Sequence, residues 1–357
     1  FGDLAGAAAK DMQALADRVD AVHVLLQEVV DGERSWEHGH EAEDWLGIIG
    51  QHVNRAMGTA ALLVDYSGGG AAEAESRARW ITRILFDGGD DFELVSAPMQ
   101  PGALLEEALW SKAYAVICTS ATLTALGRFD RFRERAGLAD DVLVQRIASP
   151  FDYPQIATFD VPVMTSDPRD PGAHTDEVTQ LLPGLLALER SALVLFASWR
   201  QLNEVVGRLP QSLVEQLKVQ GNGSKQALLT AHREAIDAGR SSYVVGVASF
   251  AEGVDLPDDY CRHVIIVKLP FAVPDDPLDE AIAEWLESQG RKPFFEIALP
   301  DAAMRLVQAC GRLIRHEGDH GRITLLDRRI LTQRYGRRLL DALPPFRRIY
   351  DESRGDR

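Results

Sequence analysis

From Asp11 to Val30 the apolar residues Met12, Leu15, Val19, Val22, Leu26 and Val29 recur at steps of three and four, which predicts an amphipathic helix. Trp45 to Val64 predicts a second one. The polar stretch between them, Asp31 to Glu41, reads as a loop. Its His38 and His40 form a His-Gly-His pair with no cysteine nearby to complete a closed metal-ligand set. Gly68-Gly-Gly70 marks a turn or break. Arg79–Phe86 and Phe92–Ala97 predict two strands of a hairpin joined through Asp87-Gly-Gly-Asp-Asp91. A helix from Leu104 then leads into Ala113–Cys118, whose unbroken apolar run predicts a buried strand.

Pro150 to Pro171 is rich in Pro, Asp and Thr and reads as a connection. Beyond it the pattern becomes a regular alternation. Strands are expected at Ser191–Phe196, Leu217–Gln220, Tyr243–Val247, His263–Leu269 and Arg322–Leu326. Helices are expected at Trp199–Leu209, Lys225–Ala238, Pro277–Ser288 and roughly Ala302–Arg315. Strands this apolar, alternating with helices, imply an α/β fold with a parallel sheet covered on both faces.

Ligands of such sheets bind at the carboxyl ends of the strands, and the polar residues gather there. Thr119, Ser120 and Thr122 follow the run ending at Cys118. They fit either a ligand edge or an ordinary helix N-cap. Ser198 and Arg200 follow Phe196, Gly221-Asn-Gly223 and Ser224 follow Gln220, and Ser249-Phe-Ala-Glu252-Gly253-Val-Asp255 follows Val247. Hydroxyls and helix-start N–H groups suit phosphate. Glu252 and Asp255 suit a ribose hydroxyl, an arginine or a metal-bound water.

The stretch Gln308-Ala-Cys-Gly311-Arg312-Leu-Ile-Arg315, read as helix, puts Gln308, Arg312 and Arg315 on one face. Leu306, Cys310 and Leu313 fall on another face suited to a core. Gly311 is a costly choice in a helix interior, about 1 kcal/mol worse than Ala, and leaves room for a close approach. Two adjacent guanidiniums are bidentate phosphate donors. A solvated basic face is the plain alternative. The edge as a whole suits a nucleotide phosphate, a nucleic-acid backbone, or both.

With 357 residues the chain has room for two or three domains, and 46% hydrophobic and 26% charged residues make an ordinary globular composition. A net charge of -16 argues against a simple basic nucleic-acid binder. The charge is uneven, however. Arg305–Arg357 holds 13 Arg, no Lys and 7 acidic residues, a net of +6 that leaves -22 on the rest. Such a basic end can bind a polyanion locally. Cys118, Cys261 and Cys310 are far apart in apolar surroundings and are expected to be small buried residues in a reducing compartment. No apolar run reaches membrane-spanning length. No Gly-x-Gly-x-x-Gly turn follows the first strand, as a dinucleotide-binding metabolic enzyme would need.

Thr119-Ser-Ala-Thr-Leu123, Ser249–Asp255 and Gln308–Arg315 resemble motifs III, V and VI of superfamily 2 helicases. Lys268-Leu-Pro-Phe271, Pro274-Asp-Asp-Pro277 and Leu331–Gly336 followed by Leu343-Pro-Pro345 are similar to the DinG branch of the XPD-like group. The resemblance is strong from about Ser96 to Phe346. It implies an ATP-dependent DNA helicase that moves 5′ to 3′ on single strands and opens forked DNA, D-loops and RNA–DNA hybrids, with a single-stranded DNA-binding protein as a further partner. It also implies a cytoplasmic monomer that uses ATP and Mg²⁺. The corresponding organisation is an arch-like helical module at 1–95, the end of a first RecA-like motor domain with its last strand at 96–149, and a second motor domain at 150–357.

By the same resemblance Arg312 and Arg315 reach the nucleotide phosphates, with Gln308 beside the γ-phosphate. Glu252, Gly253, Asp255 and Gly311 border the nucleotide. Thr119, Ser120 and Thr122 couple its state to DNA, and Ser198, Arg200, Gly221, Ser249 and Lys268 lie along the DNA backbone. Three family features are missing from the sequence: a Gly-x-x-x-x-Gly-Lys-Ser/Thr loop, an Asp-Glu-x-His box, and four cysteines for a 4Fe–4S cluster. All lie upstream in the family, and the chain starts at Phe1 rather than Met. The expectation is therefore the C-terminal part of such an enzyme, lacking ATPase alone. A non-catalytic single-stranded DNA-binding or protein-docking module is the alternative.

Overall fold

The computed structural model describes residues 2–32, 39–68, 77–86, 88–251, 253–272 and 276–350. The chain forms two compact units, Phe1–Leu104 with Pro274–Gly290, and Leu105–Val273 with Arg291–Arg357. His38, Gly69, Gly70, Asp87, Glu252, Pro274 and Asp275 lie outside the described residues.

In the first unit, helix α1 (Gly2–Gly32) and helix α2 (Gly39–Tyr66) run longer than their apolar periodicity predicts. They are antiparallel: Gly2 and Gly6 lie against Ser67, and Gly50 against His23. Their seam is built from small side chains, with Ala5, Ala9, Ala16, Ala56 and Ala60 buried. His40, expected in a loop, falls in the first turn of α2. Strands β1 (Arg77–Phe86) and β2 (Gly89–Pro98) form the expected hairpin, with Phe86 opposite Gly89. β2 thus begins at Gly89, three residues before the expected Phe92. Asp65 near the end of α2 accepts from Nε and Nη2 of Arg79 and from Ser96, tying helix to hairpin. The helix Pro277–Ser288 is found at its expected bounds, but it belongs to this unit and packs on β1 rather than on the parallel sheet.

The second unit is built on seven strands: β3 (Ala157–Asp160), β4 (Ser191–Phe196), β5 (Leu217–Val219), β6 (Ser242–Val247), β7 (His263–Ile266), β8 (Gly321–Leu325) and β9 (Arg347–Ile349). The order is β5-β6-β4-β7-β8-β3-β9, and every pairing is parallel. The α/β parallel-sheet expectation holds. Strands β3 and β9 are new, since neither carries the unbroken apolar run that marks the central strands. Helix α3 (Pro171–Leu186), capped by Asp170, is also new. Along β4 the side chains alternate into two cores. Ala192, Val194 and Phe196 pack with Val178, Leu182 and Leu202 on one face. Leu193 and Leu195 pack with Leu299, Leu306 and Cys310 on the other.

Helix α4 (Trp199–Val206), helix α5 (Lys225–Asp237) and helix α6 (Leu299–Cys310) complete the layers that position the site. The expected buried strand at Ala113–Cys118 is not formed. Those residues pair with no strand among the described residues, and Tyr114 and Ile117 are exposed. A strand exists only where a neighbour takes its ladder hydrogen bonds, and apolar content alone does not supply one. Cys118 is accordingly exposed, whereas Cys261 and Cys310 are buried as expected. Burial pushes the Cys261 thiol up to about 12. No described helix is long and apolar enough to cross a membrane.

Candidate functional site

The predicted helix through Arg315 ends at Cys310. Gly311 caps it, and the N–H groups of Arg312 and Leu313 reach back only three residues, to Ala309 and Cys310. Arg312 and Arg315 therefore do not share a helical face with Gln308. They meet by another route. Arg312 Nη1 donates to the Val254 carbonyl at 3.3 Å, and Arg315 Nη2 donates to the same oxygen at 2.7 Å. Arg315 Nε also lies 3.6 Å from Asp255 Oδ1. Leu306, Cys310 and Leu313 are buried, as the apolar pattern requires. A Cβ at Gly311 would meet only carbonyls of its own helix, 3.3 Å from Val307 O.

The loop that receives the arginines follows β6 as a 3-10 turn, Ala248–Ala251. Gly253 turns it with φ +70, a left-handed conformation suited to glycine. The backbone of Ser249 lies in this turn. Asp255 is exposed, and its carbonyl accepts from Arg233.

Gln308 Nε2 donates to Thr122 Oγ1 at 3.2 Å, so these two candidates are in contact. The N–H of Thr122 donates to Ser120 Oγ, and Thr119 and Ser120 are exposed. After β4, Ser198 caps α4, accepting from the N–H of Gln201. Arg200 is exposed beside it, and Gly221 has φ +96. Lys268 is half-buried after β7. Burial, and then the nearby Arg329, hold its ammonium below the usual lysine range, with Asp327 opposing. Thus the arginines join the Val254–Asp255 loop and Gln308 joins Thr122. Ser198, Arg200 and Gly221 gather instead around the start of α4, and Lys268 sits with Asp327 and Arg329.

Two acidic residues that the sequence pattern does not single out flank β8, Asp319 before it and Asp327 after it. Asp319 is 2% exposed. Its Oδ2 accepts the N–H groups of Arg315 at 2.6 Å and His316 at 3.0 Å, and its Oδ1 accepts that of Asp258 at 2.7 Å. Burial raises its pKa, but these three donors more than offset that and hold it below the usual carboxylate range. Asp258, with φ +56, and His316 complete a trio whose ligand atoms lie within 4.8 Å of one another. Both Asp319 oxygens are already engaged, so the trio is a brace between two turns. Asp327 is fully buried, accepts the N–H of Leu269 and holds the Arg329 guanidinium at 2.6 Å. Four residues past Arg315, a lone Asp among polar residues carries little signal; its meaning lies in backbone groups that only the fold brings to it.

Residues 184–346 match the family model described as the helicase C-terminal domain. Over 338 residues the chain is 38% identical to the ATP-dependent DNA helicase DinG of Photobacterium profundum, spanning 93% of this chain and 48% of that protein. The chain is thus similar to the DinG-type helicases along nearly its whole length. The DinG helicase of Escherichia coli is 35% identical over 274 residues, covering 75% of this chain and 38% of its own length. A solved XPD helicase structure superposes with a TM-score of 0.53 at 15% identity, over 94% of this chain and 67% of that one, and shares the fold. The chain spans about half the length of the curated DinG relative from Photobacterium profundum, and less of the one from Escherichia coli.

Proposed function

We propose that this chain is the C-terminal portion of an ATP-dependent DNA helicase that moves 5′ to 3′ and unwinds forked DNA, D-loops and R-loops. In this reading 150–357 is the second motor domain, 96–149 the end of the first, and 1–95 the arch. The convergence of Arg312 and Arg315 on the Val254 carbonyl, in a chain similar to the DinG-type helicases, carries the proposal. It leaves two cations fixed on one acceptor beside an exposed carboxylate, and guanidiniums are bidentate phosphate donors.

Transfer of a γ-phosphoryl group spreads charge over its oxygens, and an arginine aimed there is worth about 10³ to 10⁵ in rate in GTP hydrolysis. Arg312 and Arg315 take this role toward ATP, with Gln308 beside the γ-phosphate. Glu252, Gly253, Asp255 and Gly311 border the nucleotide, and Thr119, Ser120 and Thr122 relay its state. Ser198, Arg200, Gly221, Ser249 and Lys268 line the single strand. ATP brings Mg²⁺, but the Asp-Glu-x-His box that would orient it is not in this sequence. Nor do three cysteines, two of them buried, supply the four thiolates that a 4Fe–4S cluster takes. This chain alone therefore binds single-stranded DNA weakly and hydrolyses no ATP.

Two assays test this. The purified chain is expected to show no DNA-stimulated ATP turnover; measurable turnover contradicts the reading. In the protein extended to the length of its relatives, Arg315→Ala is expected to lower turnover by roughly 10³-fold or more without unfolding it. Unchanged turnover removes Arg315 from the chemistry.

A further inference from the structure

Trp199 is a large aromatic residue placed at the sheet edge with nearly half its surface, 45%, open to water. It is the first residue of α4, and Ser198 caps the helix immediately before it. One end of its indole is backed by the turn after β5. A Cβ built at Gly221 would stand 3.8 Å from Trp199 Cη2 and Cζ3. Gly221 has φ +96, so the turn passes the ring without a side chain of its own. The ring is thereby backed at one end, with nearly half of the residue open to water.

Its surroundings suit a nucleic-acid strand. Arg200 is exposed next to it. Ser224 caps α5 just beyond the same turn, and Lys225, the first residue of α5, lies 5.2 Å from the centre of the Phe250 ring. Phe250 in turn closes over β6: a Cβ at Gly246 would be 2.7 Å from its ring. The apolar surface at this edge is thus packed away at Phe250 but left open at Trp199. A bare indole in this setting costs solvation without a packing return. Nucleobases offer it a π-face of matching size whatever their identity.

We propose that Trp199 is a stacking platform for an unpaired nucleobase, with Arg200 and the openings of α4 and α5 holding the flanking phosphates. The inference rests on the reading of this edge as a single-strand path and adds the part of the ligand that is not phosphate. Stacking makes the site sensitive to the presence of a base and indifferent to which base it is.

The test uses the whole chain, fluorescently labelled oligothymidylate, and an oligonucleotide of equal length with abasic sites at its centre. Trp199→Ala is expected to weaken oligothymidylate binding about 5- to 100-fold. The abasic oligonucleotide should bind wild type and variant equally. Trp199→Phe should restore most of the affinity while abolishing the part of the tryptophan quenching that DNA produces at this site. The slope of affinity against salt should stay unchanged in Trp199→Ala and fall in Arg200→Ala, which loses a phosphate contact. Wild-type binding by Trp199→Ala, or full quenching in a folded Trp199→Phe, overturns the stacking role while leaving the single-strand path standing. No binding of any oligonucleotide by the wild-type chain overturns both.

Discussion

Asp319 holds Arg315 by its backbone: the carboxylate takes the Arg315 N–H at 2.6 Å, while the guanidinium reaches Val254. The side chain that reaches Val254 is therefore aimed by a buried acid that grips its own main chain. Hydrogen bonds to a charged acceptor contribute about 1.5–3 kcal/mol each, and orphaned buried donors cost about as much again. Asp319→Asn puts an amide N–H where backbone donors point. It is expected to lower stability by about 2–4 kcal/mol, read as a fall in the urea midpoint. Arg315→Ala, by contrast, removes two contacts of a partly exposed side chain, to the Val254 carbonyl and to Asp255, and should change stability by less than about 1 kcal/mol. Equal losses in the two variants would show that Asp319 carries no more of the fold than Arg315.

Asp327 and Arg329 form a second anchor. The Asp327 side chain is 0% exposed and its Oδ2 also accepts the N–H of Leu269. Asp327→Ala strands a mostly buried guanidinium and a buried amide. Such breakage costs about 3–5 kcal/mol, so the variant should unfold at markedly lower urea and leave Lys268 beside an unbalanced Arg329. Retention of the wild-type midpoint would contradict the ion pair's structural role.

Acid should weaken the second unit through its buried histidines. Burial holds His174, His232 and His263 below the usual imidazole range, His263 down to about 3. The unfolded chain then takes up protons first, from about pH 6.5 downward. Stability is complete above that pH and is lost as the pH falls toward the folded-state values, at up to about 1.4 kcal/mol per pH unit for each fully neutral histidine. His263→Gln should flatten the urea-midpoint profile between about pH 7 and pH 5. A profile as steep as wild type would exclude His263 as a contributor.

Gly321 is the test of a backbone constraint. It has φ +156, and a Cβ there would stand 2.2 Å from Arg262 O. Gly321→Ala is expected to cost about 3 kcal/mol or more. Gly239, with φ +74 and open space around it, isolates the conformational cost. Gly239→Ala should lose only about 1–2 kcal/mol. Similar melting temperatures for the two variants would count against the clash.

Much of the second unit was legible because its central strands are apolar throughout. The Ser191–Phe196 run and the helix from Lys225 read directly from the sequence, and both fall where expected. Ser198, Gly221 and Ser249 follow β4, β5 and β6 as expected, whereas Thr119, Ser120 and Thr122 follow no strand. What could not be read was long-range pairing. Ala113–Cys118 has a strand's composition and no partner, while Ala157–Asp160 has little composition and two partners, β8 and β9. The approach of Arg312 and Arg315 was expected from helical spacing. It arises instead after the helix has ended, through the carbonyl of a residue far earlier in the chain. Asp319 was missed because its partners are amides, which nearly every residue carries.

One acceptor oxygen serving both arginines has a mechanical consequence. Any displacement of Val254 would drag two positive charges together, so the loop after β6 behaves as a lever with a paired load. Whatever moves that loop, whether a ligand at Asp255 or a neighbour beside Arg233, retracts or advances both guanidiniums in a single stroke rather than one after the other.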